Sequence, residues 1–499
     1  MAASPFPAHP PVGVSGMAVY VPPYRVDLER WCEWTGNDAA KTHAVVGHAF
    51  RMPGPDQNIY TLAANAVLRL IAQYDFDPRR IGYLALGTES SVDNAAGAVI
   101  VRGLVDRALA AEGMDALARD CEVPEFKHAC LGGVYALKGG LRYLACDGGD
   151  RQAIVVSADI AEYARGSSGE PTQGAGAVAM LLETAPRLLE LDLALAGSAS
   201  EYRGLDFRKP FLRFAGQTPG MHGRLHDLPV FNGKYSTDCY TDATLRALNA
   251  MFARRGGSRA AYLHGLAAVF MHRPYHRMPR NAWAMACLAA LGHDAAQGDS
   301  EAARELDGYC AAAGVSRDDV TREWRTGVDA CAGGALPADA YPAASALLKV
   351  FRKGSGYERM VERTLQTGSD AMMELGNLYT AALPAWLAAG LDDAAARNLE
   401  LDDRGLLLLG YGSGDAAEAI PARVVPGWRD AARAIHFQDA LAGAVNLDQS
   451  EYAALHDSGS LDGMQTTTMS GVVIDHVGTR NERAFQDYGI AYYKYCSHP

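Results

Sequence analysis

Four residues supply between them the groups that thioester chemistry needs. Cys130 stands in Glu125-Phe-Lys-His-Ala-Cys130-Leu-Gly-Gly-Val-Tyr-Ala-Leu-Lys-Gly-Gly140, where it opens an Ala/Leu/Tyr pattern that reads as a helix. A thiol at a helix N-terminus meets unpaired backbone N–H groups and the positive end of the dipole, which favour thiolate. Gly132 and Gly133 would let an extended acyl substrate approach the backbone. Gly87-Thr-Glu89-Ser sets a carboxylate just after the apolar run Ile81–Leu86, where α/β folds present catalytic groups. Met271-His272-Arg-Pro-Tyr-His276-Arg277 puts an imidazole at the exit of another apolar run, with the cation Arg277 five residues on. Gly376-Asn377-Leu-Tyr-Thr380 places an amide near the start of a further helical stretch. A nucleophilic thiol, a carboxylate, an imidazole and an amide make an inventory for acyl transfer.

Taken singly, each has a plain structural explanation. A lone cysteine is usually a small buried hydrophobe. Glu89 and Asn377 could cap a turn or a helix, and His272 could be a core histidine. Their joint occurrence at element ends is what favours chemistry.

The elements that must position them alternate along the chain. Val14–Tyr20, Ile81–Leu86, Gln152–Ser157 and Ala175–Leu182 read as strands, and Ile59–Tyr74 has helical spacing. The theme returns with a strand over Leu263–Phe270, a helix over 375–391 and a strand over Leu406–Tyr411. This is an α/β pattern with covered sheets, and its two similar halves suggest a structural duplication without a visible sequence repeat. The Ala- and acid-rich segment 283–348 reads as an exposed helical insertion.

Composition narrows the classes. With 49% apolar and 21% charged residues in 499, the chain is that of an ordinary globular protein with a large core. A net charge of −12 argues against a nucleic-acid or anionic-membrane surface, so an anionic substrate would need a local basic pocket. Nine cysteines without CxxC pairs indicate neither a zinc ribbon nor a disulfide framework, and reduced thiols fit a cytoplasmic protein. Met1–Pro11 lacks the features of a secretory signal. The longest uncharged apolar stretch, Leu375–Leu391, is interrupted by Gly376, Asn377 and Pro384, which argues against a spanning helix.

Three loose motifs are set aside. Gly412-Ser-Gly-Asp-Ala-Ala417 matches a dinucleotide-binding pattern, but Pro421 and the strand-like Ile420–Val425 leave no helix to face a pyrophosphate. Gly174-Ala-Gly-Ala-Val-Ala179 leads into a strand. Pro274 between His272 and His276 breaks the helix that a zinc pair would need.

On these residues the chain resembles the hydroxymethylglutaryl-CoA synthase family of the thiolase superfamily. The resemblance is carried, in order, by Tyr20-Val-Pro, Gly87-Thr-Glu-Ser, Ala129-Cys130 and Ser157-Ala-Asp159-Ile-Ala-Glu-Tyr163. It continues through Gly169–Met180, Asp206-Phe-Arg-Lys-Pro210, His272–Arg277, Gly376–Thr380 and Tyr411-Gly-Ser-Gly414. It implies a thiolase-like five-layered αβαβα fold of two related halves, usually a homodimer. The implied division is a flexible 1–12, halves at 13–185 and 186–430 with the 283–348 insertion in the second, and an extension, 431–499, packed on the second half. The resemblance makes Cys130 the acetylated nucleophile, Glu89 the general acid/base and His272 the group that positions acetoacetyl-CoA. Asn377, Tyr163 and Asp206 fall among the substrate-binding residues. Gly412 and Ser413 form the turn that completes an oxyanion hole with the Cys130 N–H. Arg277 stands where the family usually has a lysine near the CoA phosphates, and the two cations differ in geometry.

The implied reaction joins acetyl-CoA to acetoacetyl-CoA through an acetyl-S-Cys intermediate, with CoA thioesters as substrates, no further cofactor and no metal. Glu89 serves as base and then acid, so its pKa should be raised by partial burial. Two rivals remain: a β-branching synthase acting on a chain held by an acyl carrier protein, and an inactive thiolase-fold scaffold.

Overall fold

A computed structural model describes residues 11–91, 93, 96–209, 228–329, 336–461 and 470–497. All but the last two residues of the expected N-terminal segment lie outside the described residues, as do Pro210 and part of 283–348.

The core is one structural unit made twice. The first runs β1 (Val12–Tyr20), α1 (Ile59–Tyr74), β2 (Ile81–Gly87), α2 (Gly97–Ala111), α3 (Gly132–Cys146), β3 (Gln152–Ala161) and β4 (Gly174–Thr184). After β5 (Leu189–Leu191), the second runs β6 (Gly197–Ser200), α4 (Gly233–Arg255), β7 (Ala268–Met271), α5 (Arg277–Ala296), α6 (Ala382–Ala396), β8 (Gly405–Gly412) and β9 (Ala416–Val424). The first sheet has the order β1-β4-β3-β2 and the second β6-β9-β8-β7. In each, the outer pair is parallel and the other neighbours are antiparallel. β5 pairs with both β1 and β9 and joins the two into one continuous sheet.

The strands are covered on both faces, so they read as unbroken apolar runs. Along β3, Ile154, Val156 and Ala158 pack in the cluster that holds α1 and α2, while Ala153 and Val155 pack with α3. Helix α6 packs on β7 and β8 of the second half and on β1 and β4 of the first, and α4 covers β6, β8 and β9. The result is the expected thiolase-like αβαβα layering. Asn58 caps α1 by accepting from Tyr60 N and Thr61 N, and Thr61 closes a reciprocal box, so this helix begins where its apolar pattern begins.

Four expectations need correction. The stretch 263–265 ends a short helix, Arg259–Gly265, capped by Ser258, and the strand starts only at Ala268. The helix expected over 375–391 begins at Ala382, because Gly376 (φ 76°) and Tyr379 (φ 44°) hold the preceding loop in the left-handed region. Residues 283–296 are no exposed insertion. They complete α5, which is apolar on most sides, with the Trp283 indole buried and donating to Met360 O and Thr364 Oγ1. Finally, part of the tail packs on the first half. β10 (Gly471–Val477) pairs with β11 (Ala491–Cys496), and the Asn65 side chain of α1 satisfies both Val472 N and Val472 O. Both backbone groups of Val472 that point away from β11 are met by one amide of the first half.

Candidate active site

The ends of both units meet in one cavity of about 280 Å³, whose lining includes Cys130, His272, Asn377, Tyr163, Asp206 and Ser413. Cys130 lies two residues ahead of α3, just after Ala129, whose φ of 40° marks a strained turn that presents the thiol. The thiol donates to Glu89 Oε2 at 3.2 Å. Gly132 and Gly133 serve packing rather than acyl access. A Cβ at Gly133 would meet Ser157 Oγ at 2.2 Å, and one at Gly132 would meet Phe126 O at 2.7 Å. The N-terminus of α3 thus sits directly on the ends of β2 and β3.

Burial sets the protonation of this pair. Desolvation, then the nearby Asp159 carboxylate, raises Glu89 to about 8, the direction that the acid/base role requires. Desolvation, then the Glu89 carboxylate, pushes the Cys130 thiol well above its ordinary range. The sequence-based expectation of a dipole-favoured thiolate is therefore reversed in the resting site. Burial, with a carboxylate neighbour, outweighs a helix terminus, and the thiol gives up its proton only to a group that can take it.

His272 follows β7, is buried, and is lowered to about 3 by desolvation, so it is a neutral imidazole at physiological pH. Its Nδ1 has no hydrogen-bond partner among the described residues. Its ring stacks on Tyr411 at 6.3 Å, and Tyr240 Oη donates to its carbonyl at 2.7 Å. Asn377 Oδ1 accepts from Tyr379 N at 2.9 Å, and its Nδ2 donates to Tyr163 Oη at 3.4 Å. It stabilises a loop ahead of α6 rather than capping that helix. Gly376 is required there, because a Cβ would lie 1.7 Å from Gln173 O.

Ser413 belongs to the tight turn between β8 and β9, which settles the glycine-rich Gly412–Ala417 motif as a strand-to-strand connection. A Cβ at Gly412 would meet His128 O at 2.7 Å, so this turn lies against the cysteine loop. Asp206 is buried beneath it, accepting from Tyr411 Oη at 2.6 Å and Gly414 N at 3.3 Å. Arg203 pairs with Asp415 at 2.8 Å and with Asp242. Arg277 is exposed at the first turn of α5, at the rim beside the cavity residues Tyr275 and Met278. His276 is engaged elsewhere, accepting from Arg273 at 2.8 Å, and burial and that guanidinium lower it to about 3.

Residues 8–186 match the family model for the hydroxymethylglutaryl-coenzyme A synthase N-terminal domain. The chain is 27% identical over 451 residues to the hydroxymethylglutaryl-CoA synthase of Haloferax volcanii, covering 89% of this chain and 91% of that one. It is 32% identical over 273 residues to that of Enterococcus faecalis, covering 54% and 63%. Its fold superposes on a solved structure, MvaS in complex with 3-hydroxy-3-methylglutaryl coenzyme A, with a TM-score of 0.73. That match has 26% identity and covers 98% of this chain and 100% of the other. The chain is thus similar to hydroxymethylglutaryl-CoA synthases along most of its length, and its residues 8–186 match their N-terminal domain.

One residue of this site has no role in the sequence-based reading although its motif is quoted there. Asp159, fully buried on β3, accepts from Thr88 Oγ1, Glu89 N and Ser90 N at 2.8–2.9 Å through one oxygen. Its other oxygen accepts from Thr380 N at 3.0 Å. A single carboxylate therefore ties the Glu89 loop of one half to the Asn377 loop of the other. The signal available in sequence was a charged residue inside an apolar strand, which is costly to bury unless fully bonded.

Proposed function

We propose that this chain condenses acetyl-CoA with acetoacetyl-CoA to give 3-hydroxy-3-methylglutaryl-CoA and free CoA. The observation that carries the reading is the Cys130–Glu89 contact in a cavity that also holds His272 and Asn377. Glu89 takes the thiol proton as Cys130 attacks the acetyl thioester, and CoA leaves with a proton, giving acetyl-S-Cys130. Glu89 then removes a proton from the acetyl methyl, while N–H groups of the Cys130 and Ser413 loops stabilise the enolate oxygen. The carbanion adds to the ketone of acetoacetyl-CoA, and Glu89 returns the proton to the new alkoxide. Water then cleaves the thioester to Cys130.

His272, held neutral by burial, offers a hydrogen bond to the acetoacetyl thioester, and Asn377, Tyr163 and Asp206 shape the remaining walls. Arg277 at the rim is placed for the CoA phosphates. Homodimer assembly, a cytoplasmic location and residue 186 as the boundary between halves belong to the same reading. Among the described residues, no helix is long and apolar enough to cross a membrane.

The test is release of CoA thiol from acetyl-CoA, with and without acetoacetyl-CoA, by the native chain and by Cys130→Ala. Stimulation by acetoacetyl-CoA, abolished in the variant, is the expected result. Slow release without stimulation would replace the acceptor by a chain on an acyl carrier protein. No release at all would leave a scaffold.

A further inference from the structure

A second hollow, of about 310 Å³, lies beside the reaction cavity, with Ile59, Ile160, Leu228 and Leu455 on its apolar side. Among the described residues, Tyr379 alone lines both. Its ring is buried and packs in one cluster with Cys130, Ala161 and Tyr163. It also makes edge contacts with the rings of Tyr163 at 6.4 Å and Phe207 at 6.1 Å. Its backbone sits at φ 44°, a conformation that a bulky side chain adopts only when its surroundings over-determine it. They do so here. Asn377 Oδ1 holds Tyr379 N on one side, and Asp159 holds Thr380 N on the other. A strained tyrosine fixed by two hydrogen bonds stands between the nucleophile and an unused volume.

We propose that the Tyr379 ring ends the acyl pocket on Cys130, and that it restricts the donor to a two-carbon acyl group by closing off the second hollow. The inference rests on the reading of Cys130 as the acylated nucleophile and names what limits its donor. The chemistry is the same for every chain length. The Cys130 S–C bond forms, the C–S bond to CoA breaks, and CoA leaves as the thiol with the proton that Cys130 gave up through Glu89. Only the room for the acyl tail differs. A tail longer than acetyl meets the ring. Without the ring it enters a cavity whose walls set Ile160, Leu228 and Leu455 beside Ser90, Glu162 and Lys209.

The experiment exposes the full chain briefly to acetyl-, butanoyl- or hexanoyl-CoA and reads the mass added at Cys130. The native chain is expected to take up acetyl in strong preference to hexanoyl. Tyr379→Gly, which suits the positive φ, should raise the hexanoyl-to-acetyl ratio roughly tenfold or more. Tyr379→Phe, which keeps the wall, should leave the ratio at the native value. Filling the second hollow with Leu455→Trp in the glycine variant should bring the ratio back down. If thermal melting shows that the glycine variant does not fold, Tyr379→Leu removes the ring and reads the same ratio. An unchanged ratio in a folded variant, or a native chain that takes hexanoyl as fast as acetyl, would overturn the wall. Absence of any acetyl label on the native chain would instead overturn the nucleophile reading, and the wall with it.

Discussion

The two halves put different groups at equivalent places on the same framework. After the edge strand the first half has Glu89 and the second has His272. Ahead of the central helix the first has Cys130 and the second Asn377. At the antiparallel hairpin the first has the loop that carries Tyr163 and the second the Ser413 turn. In the proposed reaction, the groups that exchange protons and form covalent bonds come from the first half. The second contributes a buried neutral imidazole and amides, which bind and orient. One fold copied twice can therefore divide a two-substrate reaction, with one copy making the acyl-enzyme and the other presenting its acceptor.

That division breaks most sharply at Glu89. Glu89→Ala should still acylate Cys130 from acetyl-CoA, though more slowly, with water taking the thiol proton in place of the carboxylate. It should lose condensation by about 10²–10⁴-fold. Single-turnover labelling followed by addition of acetoacetyl-CoA separates the two steps, and loss of both together would make Glu89 indispensable to acylation as well as condensation. A smaller change is expected from the second half. His272→Ala should raise KM for acetoacetyl-CoA roughly ten- to hundredfold, the worth of one buried polar contact to substrate, while acetyl labelling of Cys130 stays at the native rate. Steady-state kinetics in acetoacetyl-CoA beside a labelling time course would show this split, and a slowed labelling rate would place His272 in the first step.

The smallest effect sharpens the electrostatic side of the comparison. A carboxyl whose folded pKa exceeds its unfolded value binds more protons folded than unfolded. The contribution of Glu89 is therefore fully present below about 4.5 and is lost as pH rises through about 8. Glu89→Gln removes that dependence, so melting temperatures from pH 5 to 9 should fall less in the variant than in the native chain. His272, whose folded pKa is lowered from 6.5 to about 3, acts in the opposite sense, adding stability as pH rises from 5 to about 7 and staying level above that, so the Glu89 slope is read above pH 7.

Local pattern explains what was legible. α1 and the buried strands follow from periodicity, caps and apolar runs, and the four reactive groups stand at element ends visible in the chain. What failed depends on contacts distant in sequence. The thiol is governed by Glu89, 41 residues away, and not by the helix that follows it. Asp159 works through partners 69 to 221 residues away. The start of α6 depends on a loop pressed against Gln173, and α5 is buried by neighbours that only the fold brings together. The side of the core chosen by the tail follows from contacts such as Asn65 with Val472 and Asn58 with Tyr493, which join residues 407 and 435 positions apart.

Another piece of that tail, α7 (Gln449–Ser458), reaches the cavity wall. His456 Nε2 bonds the carbonyl of Tyr163 at 2.9 Å, and Tyr452 Oη donates to buried Glu170 at 2.8 Å. A nascent chain leaves the ribosome with Cys130 and Glu89 long before these props exist. The wall beside the thiol is completed by residues synthesised long after Cys130, so a half-made chain carries the nucleophile without the finished pocket that would put it to use.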